Sequence, residues 1–298
     1  MILNDVAKKE LEELLKPACL WWVVACLLNW SIIAMSLMAA FHFQNLWFDF
    51  IVILIIGNRQ HAIALLGHEG AHYMLSTNRL WNDFLTGSLA FWPMGISLPG
   101  YRDFHFKHHQ NAGTKDDPEL QHKKMRYPEY ELPITKSKMA LLFLKDLLCL
   151  SAYDLFILIS FVVPKKKIHL LLPNLFFGIL VALLLYFELG WVLLFWFVAQ
   201  LSSFWAFFRI RIYIEHIGTK DTHRVAINPI LNFIFFPYGA DTHWEHHHFP
   251  TMIYHNRIKA RALFTEVPII KLKDLFESYE DKNQQKMSLV MTSAITQN

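Results

Sequence analysis

The chain has 298 residues, of which 54% are hydrophobic, and its mean hydropathy is +0.26. This much apolar surface is typical of a protein embedded in lipid and argues against a soluble globular protein. The formal net charge of +3 is too small to indicate nucleic-acid binding, and the aromatic residues lie in apolar runs rather than between basic residues.

Four apolar runs are long enough to cross a bilayer as helices, because roughly 20 helical residues span the hydrocarbon core. After a charged N-terminal segment, residues 1–17, these predicted spans are 18–41, 46–66, 168–188 and 191–210. The polar residues 58–61 interrupt the second run near its end. The pattern predicts an all-α integral membrane protein with a membrane domain over 18–283 and a disordered polar tail over 284–298.

Two further apolar stretches are less regular. Residues 84–98 are too few to span and contain Pro93, which favours a re-entrant or interfacial segment. Residues 139–163 are long enough but carry Lys145, Asp146 and Asp154. A charge at the centre of a lipid-facing helix costs about 2.5–3.5 kcal/mol on insertion scales. We expect a helix lying at the interface or packed on the others, with a spanning helix as the alternative.

The Lys and Arg residues predict the orientation. The two predicted outer turns, 41–46 and 186–190, contain none, whereas the N-terminus, residues 101–138, residues 165–167 and the chain after Arg209 are rich in them. This places both termini, and a cap rich in histidine, in the cytosol. The C-terminal sequence does not choose between a bacterial inner membrane and an endoplasmic reticulum membrane.

Eight of the 16 histidines form three boxes of similar spacing. Histidines three or four residues apart project from the same face of a helix, so each box can direct its imidazoles to one point. Hairpins between the boxes return the chain to the same membrane side. The boxes are HEGAH (His68, His72), HFKHH (His105, His108, His109) and HWEHH (His243, His246, His247).

Three interpretations of these boxes differ in the number and place of the ligands. HEGAH alone is the zinc-peptidase pattern with Glu69 as general base, but one catalytic zinc needs three protein ligands and leaves most of the histidines without a role. A metal transporter needs sites near the bilayer midplane, whereas the boxes lie at helix ends. Eight or nine imidazoles suit two metal ions, although imidazole does not choose among zinc, copper, iron and nickel.

The three boxes together resemble those of the integral-membrane fatty acid desaturase and hydroxylase superfamily. HFKHHQNAGTKDDPEL resembles the second box of that family, and HWEHHHFP resembles the third; the resemblance extends over about residues 18–260. It implies two non-haem irons, O2 as co-substrate and attack on an unactivated C–H bond. We expect a fatty acyl desaturase, or alternatively a hydroxylase of a lipid, an alkane or a carotenoid.

The resemblance implies nine ligands, the eight box histidines and His216 in IYIEHIG. In the acyl-CoA desaturase branch an Asn lies four residues before the position of His216, whereas this chain has Ile212. The Glu215-His216 pair resembles the alkane hydroxylase branch, so hydroxylation stays open. Metal-bound histidines usually donate their other N–H to a carboxylate or carbonyl. The candidate partners are Glu69, Asp103, Asp116, Glu215, Asp241 and Glu245.

Electrons for such a reaction must come from another protein. We find neither the H-P-G-G pattern of a haem-binding domain nor a G-x-G-x-x-G after a strand. A separate ferredoxin or cytochrome b5 is therefore expected to dock on the basic cytosolic face.

Overall fold

The computed structural model describes residues 5–125, 130–216 and 222–281. Within these residues the fold is almost entirely helical, which confirms the predicted all-α class. The predicted tail 284–298 and the first four residues lie outside the described part of the chain. The helical stretches long and apolar enough to cross a membrane are Cys19–Phe43, Leu46–Ala71, Lys167–Tyr186 and Gly190–Glu215, and each of the last two joins two consecutive helical elements.

The elements follow one another with short connections. In the first half, the α-helices are α1 (Asp5–Leu14), α2 (Cys19–Phe43), α3 (Leu46–Ala71), α4 (Arg79–Thr86), α5 (Leu98–Asn111) and α6 (Pro118–Met125). In the second half, they are α7 (Lys136–Leu147), α8 (Ala152–Val162), α9 (Leu171–Tyr186), α10 (Gly190–Leu201), α11 (Ser203–Glu215), α12 (Pro229–Phe235), α13 (His243–His248), α14 (Tyr254–Ala260) and α15 (Leu272–Ser278). A π-helical turn lies at Gly87–Phe91, 3₁₀ turns lie at Trp92–Met94, Lys167–Leu170, Ala240–Thr242 and Arg261–Leu263, and the strands β1 (Arg224–Ala226) and β2 (Ile269–Lys271) pair in parallel.

The hairpin between α2 and α3 returns the chain to its starting side. Asn45 caps α3 because its side chain accepts hydrogen bonds from the backbone N–H groups of Trp47, at 3.0 Å, and Phe48, at 3.3 Å. Near the other end of the hairpin, Trp22 Nε1 donates to the carbonyl oxygen of Leu66 at 2.8 Å. The C-terminal end of α3 therefore lies where α2 begins.

The polar residues within the second apolar run do not end the helix. Arg59 is 3% exposed. Its guanidinium donates to Asn29 Oδ1 in α2 at 3.2 Å and to the carbonyl oxygen of Phe233 in the last turn of α12 at 3.1 Å. Because these donors find acceptors inside the bundle, α3 continues to Ala71, beyond the predicted end of the span at residue 66.

The charged stretch 139–163 forms two short helices, α7 and α8, of 12 and 11 residues. Each is too short to span, so the alternative of one spanning helix is wrong. Asp146 and Asp154 are fully buried, and both bind the guanidinium of Arg209 in α11 at 2.6–2.9 Å. Pairing with one guanidinium offsets the cost of burying these carboxylates.

The stretch 84–98 contains no spanning helix. After α4 the chain forms the π-helical turn and a 3₁₀ turn that includes Pro93, and α5 begins at Leu98. Phe91 packs so closely on α3 that a Cβ atom on Gly67 would lie 2.2 Å from its ring. The broken segment thus packs against α3 one residue before its first box histidine.

The segments before α2 and after the third box meet at the same end of the bundle. α1 packs on α14, where Asn256 Nδ2 donates to the carbonyl oxygen of Leu14 at 2.9 Å. Leu14 also belongs to an apolar cluster with Met252, Ala260 and Phe264. These contacts place the α14 region beside the end of the bundle that carries the histidine boxes.

Candidate metal centre

Three helices and one helix end present the predicted ligands. His68 lies in the last turn of α3, and His72 is its C-cap. The second box lies on α5 and the third on α13, while His216 is the C-cap of α11. All nine histidines therefore meet at one end of the bundle.

Five predicted ligands come together as one cluster, which we name the five-histidine group. Its members are His68, His72, His105, His109 and His246, and their ligand atoms lie within 4.8 Å of one another. The Nε2 atoms of His68 and His246 are 2.9 Å apart, as are those of His72 and His105. His109 Nε2 lies 3.0 Å from His105 Nε2 and 2.9 Å from His246 Nε2.

The three-histidine group lies beside it and consists of His108, His216 and His247. His243 is in neither group, but its Nε2 is 2.7 Å from His216 Nε2. The rings of His109 and His247 stack with centroids 4.4 Å apart and so connect the two groups. The structure thus brings together all nine predicted ligands, while their binding of metal stays a prediction.

The contacts between the rings fit metal ligation better than hydrogen bonding. A neutral imidazole has one donor and one acceptor nitrogen, yet His109 Nε2 approaches two other Nε2 atoms. Nitrogens bound about 2.1 Å from one ion at right angles lie about 3.0 Å apart, close to the separations found here. His108 and His247 each have a buried Nε2 without a hydrogen bond among the described residues. This donor set suits a transition metal.

Burial keeps most of these imidazoles in the neutral form that binds metal. Burial, followed by repulsion from neighbouring histidines, lowers the pKa of His109 to about 4 and that of His247 to about 2. The same causes hold the pKa well below 6.5 in His105, His216, His243 and His246.

His108 differs because two carboxylates lie near it. Burial lowers the pKa of His108, but Glu119 and Asp117 outweigh burial and raise it. His108 Nδ1 lies 3.0 Å from Asp117 Oδ1, and the same carboxylate accepts hydrogen bonds from the N–H groups of Gly113 and Glu119. Burial raises the pKa of Asp117, but the hydrogen bond and the charge interaction with His108, together with the two backbone N–H donors, outweigh burial, and the net pKa is lowered. Asp117 therefore orients His108 and leaves its Nε2 for a metal.

Among the six acidic residues predicted to support the ligands, Glu215 lies against a histidine. Its Oε1 is 3.1 Å from His243 Nδ1. Asp103 and Asp116 are exposed, and within the described part of the chain no contact joins either to a box histidine. The structure places Asp117 in the position expected for Asp116, because the turn after α5 directs the second aspartate inward.

The other three predicted acidic residues, Glu69, Asp241 and Glu245, bind arginines that no sequence pattern had indicated. Arg257 binds Glu69, and Arg261 Nη2 lies 3.4 Å from Asp241 Oδ2. The Glu69 carboxylate also accepts a hydrogen bond from the N–H of Tyr254 at 2.8 Å. Glu69 is thus engaged by α14 rather than placed as the general base that the peptidase interpretation requires.

Comparisons with known proteins find a matching family model and a partly similar protein. A family model described as fatty acid desaturase matches residues 45–268. A delta(8)-fatty-acid desaturase from Helianthus annuus is 33% identical over 79 residues, which is 26% of this chain. The matched part covers 17% of the length of that relative.

Proposed function

The chain belongs to the fatty acid desaturase family, and from this premise we propose that it is a di-iron, O2-dependent desaturase that introduces a C=C bond into a fatty acyl chain. The observation that carries the proposal is the pair of histidine groups at one end of a bundle with four span-length helices. Family membership also indicates an oxidoreductase.

In this proposal the five-histidine group holds one iron, and the three-histidine group together with His243 holds the other. Imidazole ligands are suited to iron as well as to zinc and copper, and the family membership favours iron. When bound, the two irons supply the oxidising power, drawn from O2 and two electrons, that removes hydrogen from an unactivated C–H bond.

The side chains of the protein orient the ligands and control their protons. Asp117 keeps a proton on His108 Nδ1, and Glu215 does the same for His243, so that each Nε2 offers its lone pair. Four of the five histidines in the five-histidine group are buried, which limits the access of bulk water to that group, whereas His216 and His247 of the three-histidine group are partly exposed. We expect an alkyl chain to approach the centre from the side of the apolar spans.

We further propose a lipid acyl chain as substrate and a separate ferredoxin or cytochrome b5 as electron donor. We assign the box end of the bundle to the cytosolic side of a bacterial inner membrane or an endoplasmic reticulum membrane, because the distribution of Lys and Arg in the sequence predicts that orientation. An acidic donor would be attracted to that surface, so turnover at a fixed donor concentration should fall as ionic strength rises.

Hydroxylation of a lipid, an alkane or a carotenoid is the second candidate. Ile212 is 7% exposed in α11 and offers no polar atom where the acyl-CoA desaturase branch has an Asn. Both outcomes begin with the loss of the same hydrogen, so the arrangement of the histidines is compatible with either one.

Elemental analysis of the full-length protein in detergent, followed by mass spectrometry of the product, tests the proposal. About two irons per chain are expected, and loss of two hydrogens from the substrate identifies desaturation, whereas gain of one oxygen atom identifies hydroxylation. One zinc per chain without iron would contradict both functions and would favour the interpretation of HEGAH as a zinc-peptidase motif.

A further inference from the structure

The acidic residues inside the first and third boxes bind arginines instead of histidines. Glu69 lies between His68 and His72, is fully buried, and binds Arg257 and the N–H of Tyr254. Arg257 is itself 1% exposed, and it lies 188 residues from Glu69 along the chain. The ion pair therefore joins two helices that are far apart in the sequence, α3 with Glu69 and α14 with Arg257.

The third box has a corresponding ion pair. Glu245 lies between His243 and His246 and is fully buried. Arg224 Nε in β1 lies 2.6 Å from Glu245 Oε1, and Arg261 Nε lies 3.5 Å from the same oxygen.

Arg224 is held in place by three further contacts. Its Nη1 donates to the carbonyl oxygens of Phe264, at 2.6 Å, and Val267, at 3.3 Å. The guanidinium also lies over the ring of Trp244, 4.8 Å from its centroid. A guanidinium fixed on several sides can determine the direction of the carboxylate that it binds.

Each ion pair acts on a short helical segment that bears box histidines. Glu69 is fully buried and shares the last turn of α3 with His68 and His72, so a backbone shift that lets water reach the Glu69 carboxylate also moves both histidines. The same holds for Glu245 with its neighbours in α13. Removing an arginine leaves a buried carboxylate without its main partner, which favours a rearrangement that lets water reach the carboxylate.

We propose that Arg257 and Arg224 are positioning residues of the metal centre. Arg257 acts through Glu69 on His68 and His72, and Arg224 acts through Glu245 on the third box. This inference rests on the proposed function, because it takes the nine histidines as metal ligands. Loss of residues that orient ligands typically lowers metal affinity about 10–100-fold, and we expect that range for each arginine.

The test titrates Co²⁺ into the full-length, metal-free protein in detergent and records its visible absorption spectrum. Arg257→Gln and Arg224→Gln should bind Co²⁺ about 10–100-fold more weakly than the wild type, with changed band positions, since the ligands are reoriented. Lys259→Gln is the matched control, because Lys259 is exposed on the same helix and its loss removes the same charge. This control should leave affinity and spectrum unchanged.

The double variant Glu69→Gln/Arg257→Gln separates positioning from a general loss of fold. A neutral Gln at each position leaves no unpaired buried charge, so affinity and spectrum should recover toward the wild type. Unchanged affinity and spectrum in Arg257→Gln would overturn the role of that arginine. A lower melting temperature without recovery in the double variant would show a merely structural role and would overturn it as well.

The wild type distinguishes this inference from the proposed function. If the wild type takes up about two Co²⁺ ions and the arginine variants match it, the inference alone is wrong. If the wild type itself takes up no transition metal, the metal centre is wrong and the positioning role is wrong with it.

Discussion

In the three-histidine group and beside it, two imidazoles have carboxylate partners, His108 with Asp117 and His243 with Glu215. In the five-histidine group no contact among the described residues joins a member to a carboxylate, and Glu69 in its first box binds Arg257 instead. A carboxylate partner raises the basicity of an imidazole ligand and fixes its ring. Carboxylates therefore orient His108 and His243 directly, whereas the histidines of the five-histidine group depend on the backbone positions of the helices that carry them.

This difference indicates how each group responds to change. The three-histidine group should be sensitive to the loss of a single carboxylate. The five-histidine group should be sensitive to displacement of α3 and of α13, because its ligand directions depend on how those helices pack.

The largest expected effect is the loss of one ligand from each group. His246 and His247 are neighbours on α13 but belong to different groups. His246→Ala and His247→Ala should each lose one iron, and product formation should fall more than about 100-fold, beyond the usual effect of losing a supporting residue. His248→Ala on the same helix is the control, since His248 is exposed and bonds the carbonyl oxygen of Trp244. Retention of two irons by either variant would contradict its assignment as a ligand.

Loss of the Asp117 carboxylate, which contacts His108 Nδ1, should have a smaller effect, mainly on the three-histidine group. Asp117→Asn is expected to weaken iron binding at the three-histidine group about 10–100-fold and to affect the other group less. The measurement is iron retained per chain against increasing chelator. Asp116→Asn is the matched control, because Asp116 is exposed and adjacent. Equal effects of both substitutions would remove the distinction between the two groups.

Displacement of α3 should act on the five-histidine group. A Cβ atom on Gly70 would lie 2.0 Å from Thr86 Oγ1 and 2.6 Å from Thr86 Cγ2. We expect Gly70→Ala to lower the free energy of unfolding by about 1–3 kcal/mol and to weaken metal binding at that group. Thermal unfolding and chelator competition measure the two effects. Gly178→Ala in α9 is the control, since nothing lies within 4 Å of the added atom there. Normal metal binding by Gly70→Ala would show that the packing of α3 does not direct these ligands.

The smallest expected effect is a difference in acid response between His109 and His108 in the metal-free protein. The folded pKa of His109 is about 4, below the ordinary value of 6.5. Between pH 6.5 and pH 4, His109 is protonated in the unfolded chain but not in the folded protein. Lowering the pH through this range therefore lowers the free energy of unfolding by up to about 1.4 kcal/mol per pH unit. The pKa of His108 is raised, so its contribution is present below pH 6.5 and is lost as pH rises through the folded pKa.

Melting temperatures of the metal-free protein at pH 7 and pH 5 measure this difference. His109→Asn should reduce the loss of stability on acidification, and His108→Asn should increase it. If both substitutions change the loss of stability on acidification in the same direction, the pKa values of His108 and His109 are not shifted in opposite directions, and the contrast between the two groups is wrong.

Local sequence patterns were sufficient for the fold class and for the histidines. The length and apolar character of a run decide whether it forms a span-length helix, and spacing of three or four residues puts box histidines on one helix face. His216 required more than spacing, because only the resemblance to the family pointed to it. Its position 2.7 Å from His243 agrees with that expectation.

Charged residues within apolar stretches were harder to interpret from the sequence. Asp146 and Asp154 indicated that 139–163 was not a simple span, and the structure agrees. Their partner Arg209 lies 63 residues from Asp146 along the chain, so no local pattern connects them. Arg59 and Asn58 likewise suggested a weak helix end, although their acceptors lie on α2 and α12.

By itself, the sequence determined the helical membrane class, the sites of four long apolar helices and the histidines that meet in the centre, because each depends on composition or on spacing within one turn of helix. Only the tertiary structure decided which acidic residue supports which ligand. Asp117 rather than Asp116 faces His108, and Glu69 faces Arg257 rather than a histidine. Both pairings depend on how the chain packs in three dimensions. No local sequence pattern distinguishes Asp117 from its neighbour Asp116, and none connects Glu69 with Arg257, which lies 188 residues away.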